Sequence, residues 1–135
     1  MQIQNYFRYT FNYKFYSPLI LFLICIISRI FTSINYLEDI DSMRFAQSVF
    51  DYNLQELRPH FPGYPVFCFF VKLIYSIVGS LQVSFSIVGG VSIFLIIYYS
   101  SYILKILNLK GQFYLKILIF FNPIFWNLSN RYMSD

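Results

Sequence analysis

The sequence predicts an all-α, polytopic membrane protein with about four transmembrane helices and an amphipathic surface helix in the first outer loop. Three observations carry this expectation. Of 135 residues, 58% are hydrophobic and 12% charged, against roughly 45–50% apolar and about 25% charged in an ordinary soluble domain. Mean hydropathy is +0.57. The charges are also unevenly placed: Glu38, Asp39, Asp41, Asp51 and Glu56, five of the six acids, fall within residues 36–60 and leave long apolar stretches on either side. The 17 Phe, 13 Tyr and 1 Trp exclude intrinsic disorder. Cys25 and Cys68 sit inside apolar runs and read as small buried hydrophobes, not as a disulfide framework or a zinc site. The net charge of +4 comes from ten Lys and Arg scattered singly. No basic face results, so nucleic acid is excluded as a partner.

A helical span needs about 20 mostly apolar residues to cross about 30 Å of hydrocarbon. The first candidate covers about 15–36, with Leu19 to Ile27 as its centre. Arg29 and Ile30 follow that centre where a signal peptide would carry small residues, so it reads as an uncleaved anchor. The second covers about 64–78 and contains Lys72, and the third covers about 83–104. No charge lies between Lys72 and Lys105, and Gly79, Ser80 and Gln82 supply the break between these two spans. The fourth, about 113–128, contains Asn122-Pro123, which should kink or end it. Gly89-Gly90 reads as a close-packing point between helices. Charges inside spans are costly: Lys72 and Arg29 mark function or snorkel to a headgroup, and snorkelling is the preferred reading of Arg29. Arg8, Lys14 and Arg29 precede the first acid, which places the N-terminus in the cytoplasm and loop 37–63 outside. With four spans, however, the Lys105–Lys110 connection also falls outside, against the same rule.

Titratable side chains outside that loop are so few that any catalysis must sit within it. Phe45, Ala46, Val49 and Phe50 share one helical face, which predicts a short helix on the membrane surface with its polar side toward water. Asp41 or Ser42 is placed to cap it, and Asp41 to pair with Arg44. The loop closes in Arg58-Pro59-His60-Phe61-Pro62-Gly63-Tyr64-Pro65, whose prolines stiffen the backbone at the bilayer surface. Glu38 and Asp39 read as solvated or supporting acids. Together with Asp41 they offer hard oxygen ligands to a divalent cation, but three acids are too few to define a metal site.

One apolar helix, an acid opening a surface helix, and the run Pro59-His60-Phe61-Pro62-Gly63-Tyr64-Pro65 leading into the next span resemble the N-terminal part of GT-C fold glycosyltransferases. The likeness is to the family 39-like group that includes protein O-mannosyltransferases and lipid A aminoarabinose transferases. Asn122-Pro123-Ile124-Phe125-Trp126 also resembles the close of a later span in that group. The likeness covers most of residues 18–130, and its specific part is short. It implies transfer of a sugar from a polyprenyl-phosphate donor to an acceptor on the extracytoplasmic side. Asp41 then matches the catalytic acid of the first outer loop, and His60, supported by Arg58, the donor-phosphate contact. The second acid of much of the family has no assigned counterpart. Because such enzymes carry many more spans, the chain is expected to be an N-terminal fragment, inactive alone, of a multi-pass protein. The expected location is the plasma membrane, bacterial inner membrane ahead of endoplasmic reticulum. The competing expectation is a small non-enzymatic helical membrane protein that serves as accessory subunit of a larger complex.

Overall fold

The computed structural model describes the backbone of residues 2–133 and the side chains of residues 17–133. The chain forms α1 (Gln2–Phe31), α2 (Ile40–Phe50), a 3-10 turn (Leu54–Glu56), α3 (Pro65–Val78), α4 (Leu81–Ile106), α5 (Gln112–Phe120) and α6 (Pro123–Leu128). The fold is all-helical among the described residues, apart from an isolated bridge between Asn53 and Arg58.

Four spans are not what this structure supports. Among the described residues one helix, α4, is long and apolar enough to cross a membrane. Its 26 residues reach about 39 Å. The 14 residues of α3 reach only about 21 Å. Gly79 ends α3 in a left-handed conformation, φ 70°, where glycine is favoured. Ser80 then opens α4, its hydroxyl oxygen accepting from the Val83 N–H at 3.5 Å. The break therefore falls at Gly79-Ser80, while Gln82 already lies inside α4. The first expected span stops at Phe31, with Ser17–Phe31 as its apolar part. The fourth is cut in two as Asn122-Pro123 predicts. Pro123 lacks an N–H to continue the ladder, and the Asn122 side-chain oxygen accepts from the Ile124 N–H at 2.9 Å to start α6 afresh.

Contacts along α4 set the direction of its neighbours. Gln82 Nε2 donates to Ser33 Oγ at 2.6 Å just beyond the end of α1. Gly90 packs on the backbone of Cys25 and Ile26, and Ser101 and Lys105 share a cleft with Ser17 and Leu21. α1 and α4 are thus antiparallel. α5 and α6 then retrace α4: Lys116 lines the Lys105 cleft, Phe120 and Phe125 pack on Cys25, Ile93 and Ile97, and Ser129 lies against Gly89. Asn130 Nδ2 donates to Thr32 Oγ1 at 2.9 Å, and the Tyr132 hydroxyl donates to Ile34 O at 3.0 Å.

Arg29 departs from expectation. It does not snorkel; it is 0% exposed. Its Nε donates to Ser129 Oγ at 2.6 Å, and its Cζ lies 3.8 Å from the Trp126 ring centroid and 5.5 Å from that of Phe120. The physical reason is that the α6 end folds over the last turn of α1 and takes the guanidinium before it reaches a surface. Lys72, by contrast, is exposed, and Cys25 and Cys68 are buried free thiols.

The surface helix also differs. The inward face of α2 is Ser42, Phe45, Ala46, Ser48 and Val49. That face packs on Cys68, Val71, Phe85 and Tyr132, so protein rather than lipid covers it. Phe50 stays exposed, edge-on to Tyr75 at 5.3 Å.

The glycine pair confirms its expected role. A Cβ at position 89 would overlap the Ser129 carbonyl, and one at 90 would come within 2.9 Å of Ile26 Cα. Both obstacles are backbone and cannot rotate away. Gly89→Ala is therefore expected to destabilise the chain in detergent by about 1–3 kcal/mol in thermal unfolding; an unchanged midpoint would contradict this packing.

Candidate functional site

The acid-rich segment lies at the end of the bundle formed by the close of α1, the start of α4 and residues after α6. Its foundation is Asp39. The Asp39 Oδ1 accepts from the Ser42 N–H at 2.7 Å, which makes Asp39 the cap of α2 in place of Asp41 or Ser42. The backbone hydrogen bond from Ser42, with its side chain adding to it, holds the Asp39 carboxyl below the usual carboxylate range. With position 39 fixed as cap, Asp41 lies in the first helical turn, where a negative charge also meets the positive end of the helix dipole.

Asp41 gathers a guanidinium and an imidazole. Arg44 Nη1 donates to Asp41 Oδ1 at 3.3 Å, one turn along the same helix. His60 Nδ1 comes within 3.5 Å of the same oxygen. That approach is not a hydrogen bond: His60 Nδ1 is buried with no hydrogen-bond partner. Aromatic rings hold the imidazole: Phe45 stands edge-on at 5.3 Å and Tyr64 at 5.7 Å between centroids. The rigid segment predicted from its prolines thus brings His60 to Asp41, 19 positions away in the chain.

Arg58 is turned elsewhere. Asn53 and Arg58 exchange backbone N–H···O bonds of 2.9 Å in each direction, closing a tight loop. The Arg58 guanidinium pairs within that loop, with Asp51 at 3.1 Å and Glu56 at 2.8 Å. It makes no contact with Asp41 or His60 among the ion pairs of the described residues. Glu38, read as a loop acid, meets Arg131 Nε at 2.7 Å. The three clustered acids therefore go separate ways: Glu38 to Arg131, Asp39 to the helix cap, Asp41 to Arg44 and His60. Among the described residues no three His, Cys, Asp or Glu side chains group to hold a metal ion.

Beside this corner an apolar groove of about 610 Å³ opens between α3 and α4, lined by Tyr64, Phe67, Phe70, Val88, Val91 and Leu95 among others. Tyr64 belongs to both, as the wall of the groove and the neighbour of His60. The arrangement can hold a proton acceptor, two nitrogen donors and an apolar chain side by side.

The Asp41–Arg44 pair follows from their spacing, whereas the approach of His60 to Asp41 carries no such local signal. Sequence reasoning missed the Glu38–Arg131 pair, whose partners stand 93 positions apart and carry no local spacing signal.

No family model matches the chain, and no curated protein or solved structure matches it either.

Removing the cap tests the foundation. Asp39→Ala should cost about 1 kcal/mol of stability at neutral pH, with Asp39→Asn close to neutral. Since the folded carboxyl titrates below its unfolded value, this contribution is present above about pH 4 and lost as the pH falls through the folded pKa. Thermal unfolding of the three proteins between pH 3 and 7 checks it; a difference that grows on acidification would refute the capping role.

Proposed function

We propose that this is a membrane-embedded glycosyltransferase of the GT-C type, taking a sugar from a polyprenyl-phosphate donor and passing it to an acceptor on the extracytoplasmic side. The observation that carries the reading is the convergence of Asp41, Arg44 and His60 on one carboxylate oxygen beside an apolar groove. A base for the acceptor, donors for a phosphate and a seat for a lipid chain are what such a reaction requires.

In this reading the acceptor hydroxyl oxygen bonds to the anomeric carbon while the bond from that carbon to the donor phosphate oxygen breaks. The hydroxyl proton passes to the Asp41 carboxylate. The bonding electron pair leaves on the polyprenyl phosphate, whose charge is met by the Arg44 guanidinium and a ring N–H of His60. Arg58, held by Asp51 and Glu56, steadies the loop rather than the phosphate.

The membrane arrangement that fits best has three crossings: α1, α4, and α5 with α6 together. α3 is too short and stays with α2 at the acid-rich end. This removes the conflict with the charge rule. The Lys105, Lys110 and Lys116 end then lies with the N-terminus, where Arg8 and Lys14 already stand, and the acid-rich end lies outside. A plasma membrane, the bacterial inner membrane first, is the proposed location.

In membranes carrying the protein, Asp41→Asn is expected to lower sugar transfer from a polyprenyl-phosphate donor at least about a hundredfold. Insertion and unfolding temperature should stay as they are, since the exposed pair with Arg44 contributes little stability. Near-normal transfer would remove Asp41 from the mechanism.

A further inference from the structure

The opposite end of the bundle holds a second cleft, of about 360 Å³, between the middle of α1 at Ser17–Leu21, the last turns of α4 and the start of α5. Lys105 and Lys116 line it, with Ser101, Tyr102, Ser17 and Gln112. Among the described residues neither lysine forms an ion pair, and residues 1–37 and 57–134 contain no Asp or Glu. Ser101 is 9% exposed, and its Oγ is buried without any hydrogen-bond partner. A buried hydroxyl left unpaired is costly and calls for a partner. The α5 N-terminus opens on the same cleft at Gln112, and its cap residue, Gly111, supplies no side-chain acceptor. Two lysines, a serine with an orphan hydroxyl and an uncapped helix start line one space, and each favours a negatively charged oxygen.

We propose that this cleft binds the phosphate headgroup of an anionic phospholipid. The shared chemistry is a phosphate group, which a soluble ion also carries. The surroundings select the lipid. Ile103, Ile106, Leu107, Phe113, Tyr114 and Leu118, sequence neighbours of the lining residues on α4 and α5, are all exposed, so a ligand bearing acyl chains covers apolar surface that a free ion leaves bare. Tyr98 and Tyr102 stand half-exposed at the rim, as aromatic side chains do at a headgroup layer. The proposal rests on the membrane embedding argued above but not on sugar transfer, because Asp41 and this cleft lie at opposite ends of α4. Failure of Asp41→Asn to affect transfer would leave it untouched.

Native mass spectrometry of the detergent-solubilised protein with phosphatidylglycerol, phosphatidylcholine or inorganic phosphate tests it. Phosphatidylglycerol should bind in preference to phosphatidylcholine. The double substitution Lys105→Gln with Lys116→Gln should weaken phosphatidylglycerol binding about thirtyfold, as loss of two headgroup-level cations predicts. Lys110→Gln, which removes a charge outside the cleft, should change it little. Ser101→Ala should weaken it severalfold at constant charge. That variant keeps the test decisive if circular dichroism shows the double variant unfolded. Equal retention of the two lipids, a loss in Lys110→Gln matching the double variant, or unchanged binding in Ser101→Ala would overturn the site. Inorganic phosphate binding as tightly as phosphatidylglycerol would overturn the lipid assignment.

Discussion

The close approach of three backbones at Gly89 and Gly90 is the constraint on which the rest of the molecule depends. On one side α4 touches the backbone of Cys25 and Ile26, and on the other that of Ser129. Only residues without a Cβ permit both contacts. In an apolar environment such packing replaces the hydrophobic drive, because lipid tails are as apolar as the side chains they would displace. Arg29 then locks the arrangement. Its guanidinium lies on the Trp126 face and bonds Ser129, with no acidic partner among the described residues. A desolvated cation–π contact of this kind is worth about 2 kcal/mol or more, and it bridges the last turn of α1 to the end of α6.

From that junction the acid-rich end follows. With Ser129 fixed, Asn130 reaches Thr32, Arg131 reaches Glu38 and Tyr132 reaches Ile34. These three contacts tie the segment after α1, and Tyr132 with Phe85 and Val71 forms part of the floor on which α2 rests. Asp39 sets where α2 begins. The register of α2 puts Asp41 and Arg44 on its open side and Phe45 beneath them, and Phe45 carries His60. The candidate site is therefore held by packing made at the far end of the sequence, and it sits at one end of α4 with the lysine cleft at the other.

Much of this was legible in the sequence because the signals were local. The Gly79-Ser80 break, the Asn122-Pro123 interruption, the Asp41–Arg44 spacing and the glycine pair each depend on a few neighbouring residues. Other expectations failed for reasons of distance. A lone arginine near the end of an apolar run reads as snorkelling, because nothing within the run shows that Trp126 and Ser129 will cover it. Arg58 reads as a support for His60, and nothing in the local pattern shows that Asp51 and Glu56 pair with it once the chain folds back on itself. Asp41 or Ser42 reads as the cap and Asp39 as a solvated acid, yet the extended backbone at Asp39 turns its carboxylate onto the Ser42 N–H instead. Counting spans by hydropathy gave four, because α3 is apolar enough although its 14 residues are too short.

The proposed membrane arrangement puts the lysine end and the acid end on opposite faces, with α4 crossing between them. Single cysteines at Gln55 and at Lys110, in a chain with Cys25→Ala and Cys68→Ser, distinguish the possibilities in intact cells. With that arrangement a membrane-impermeant maleimide labels position 55 directly and position 110 only after lysis. Labelling of both positions from outside would make α3 a full crossing and contradict it.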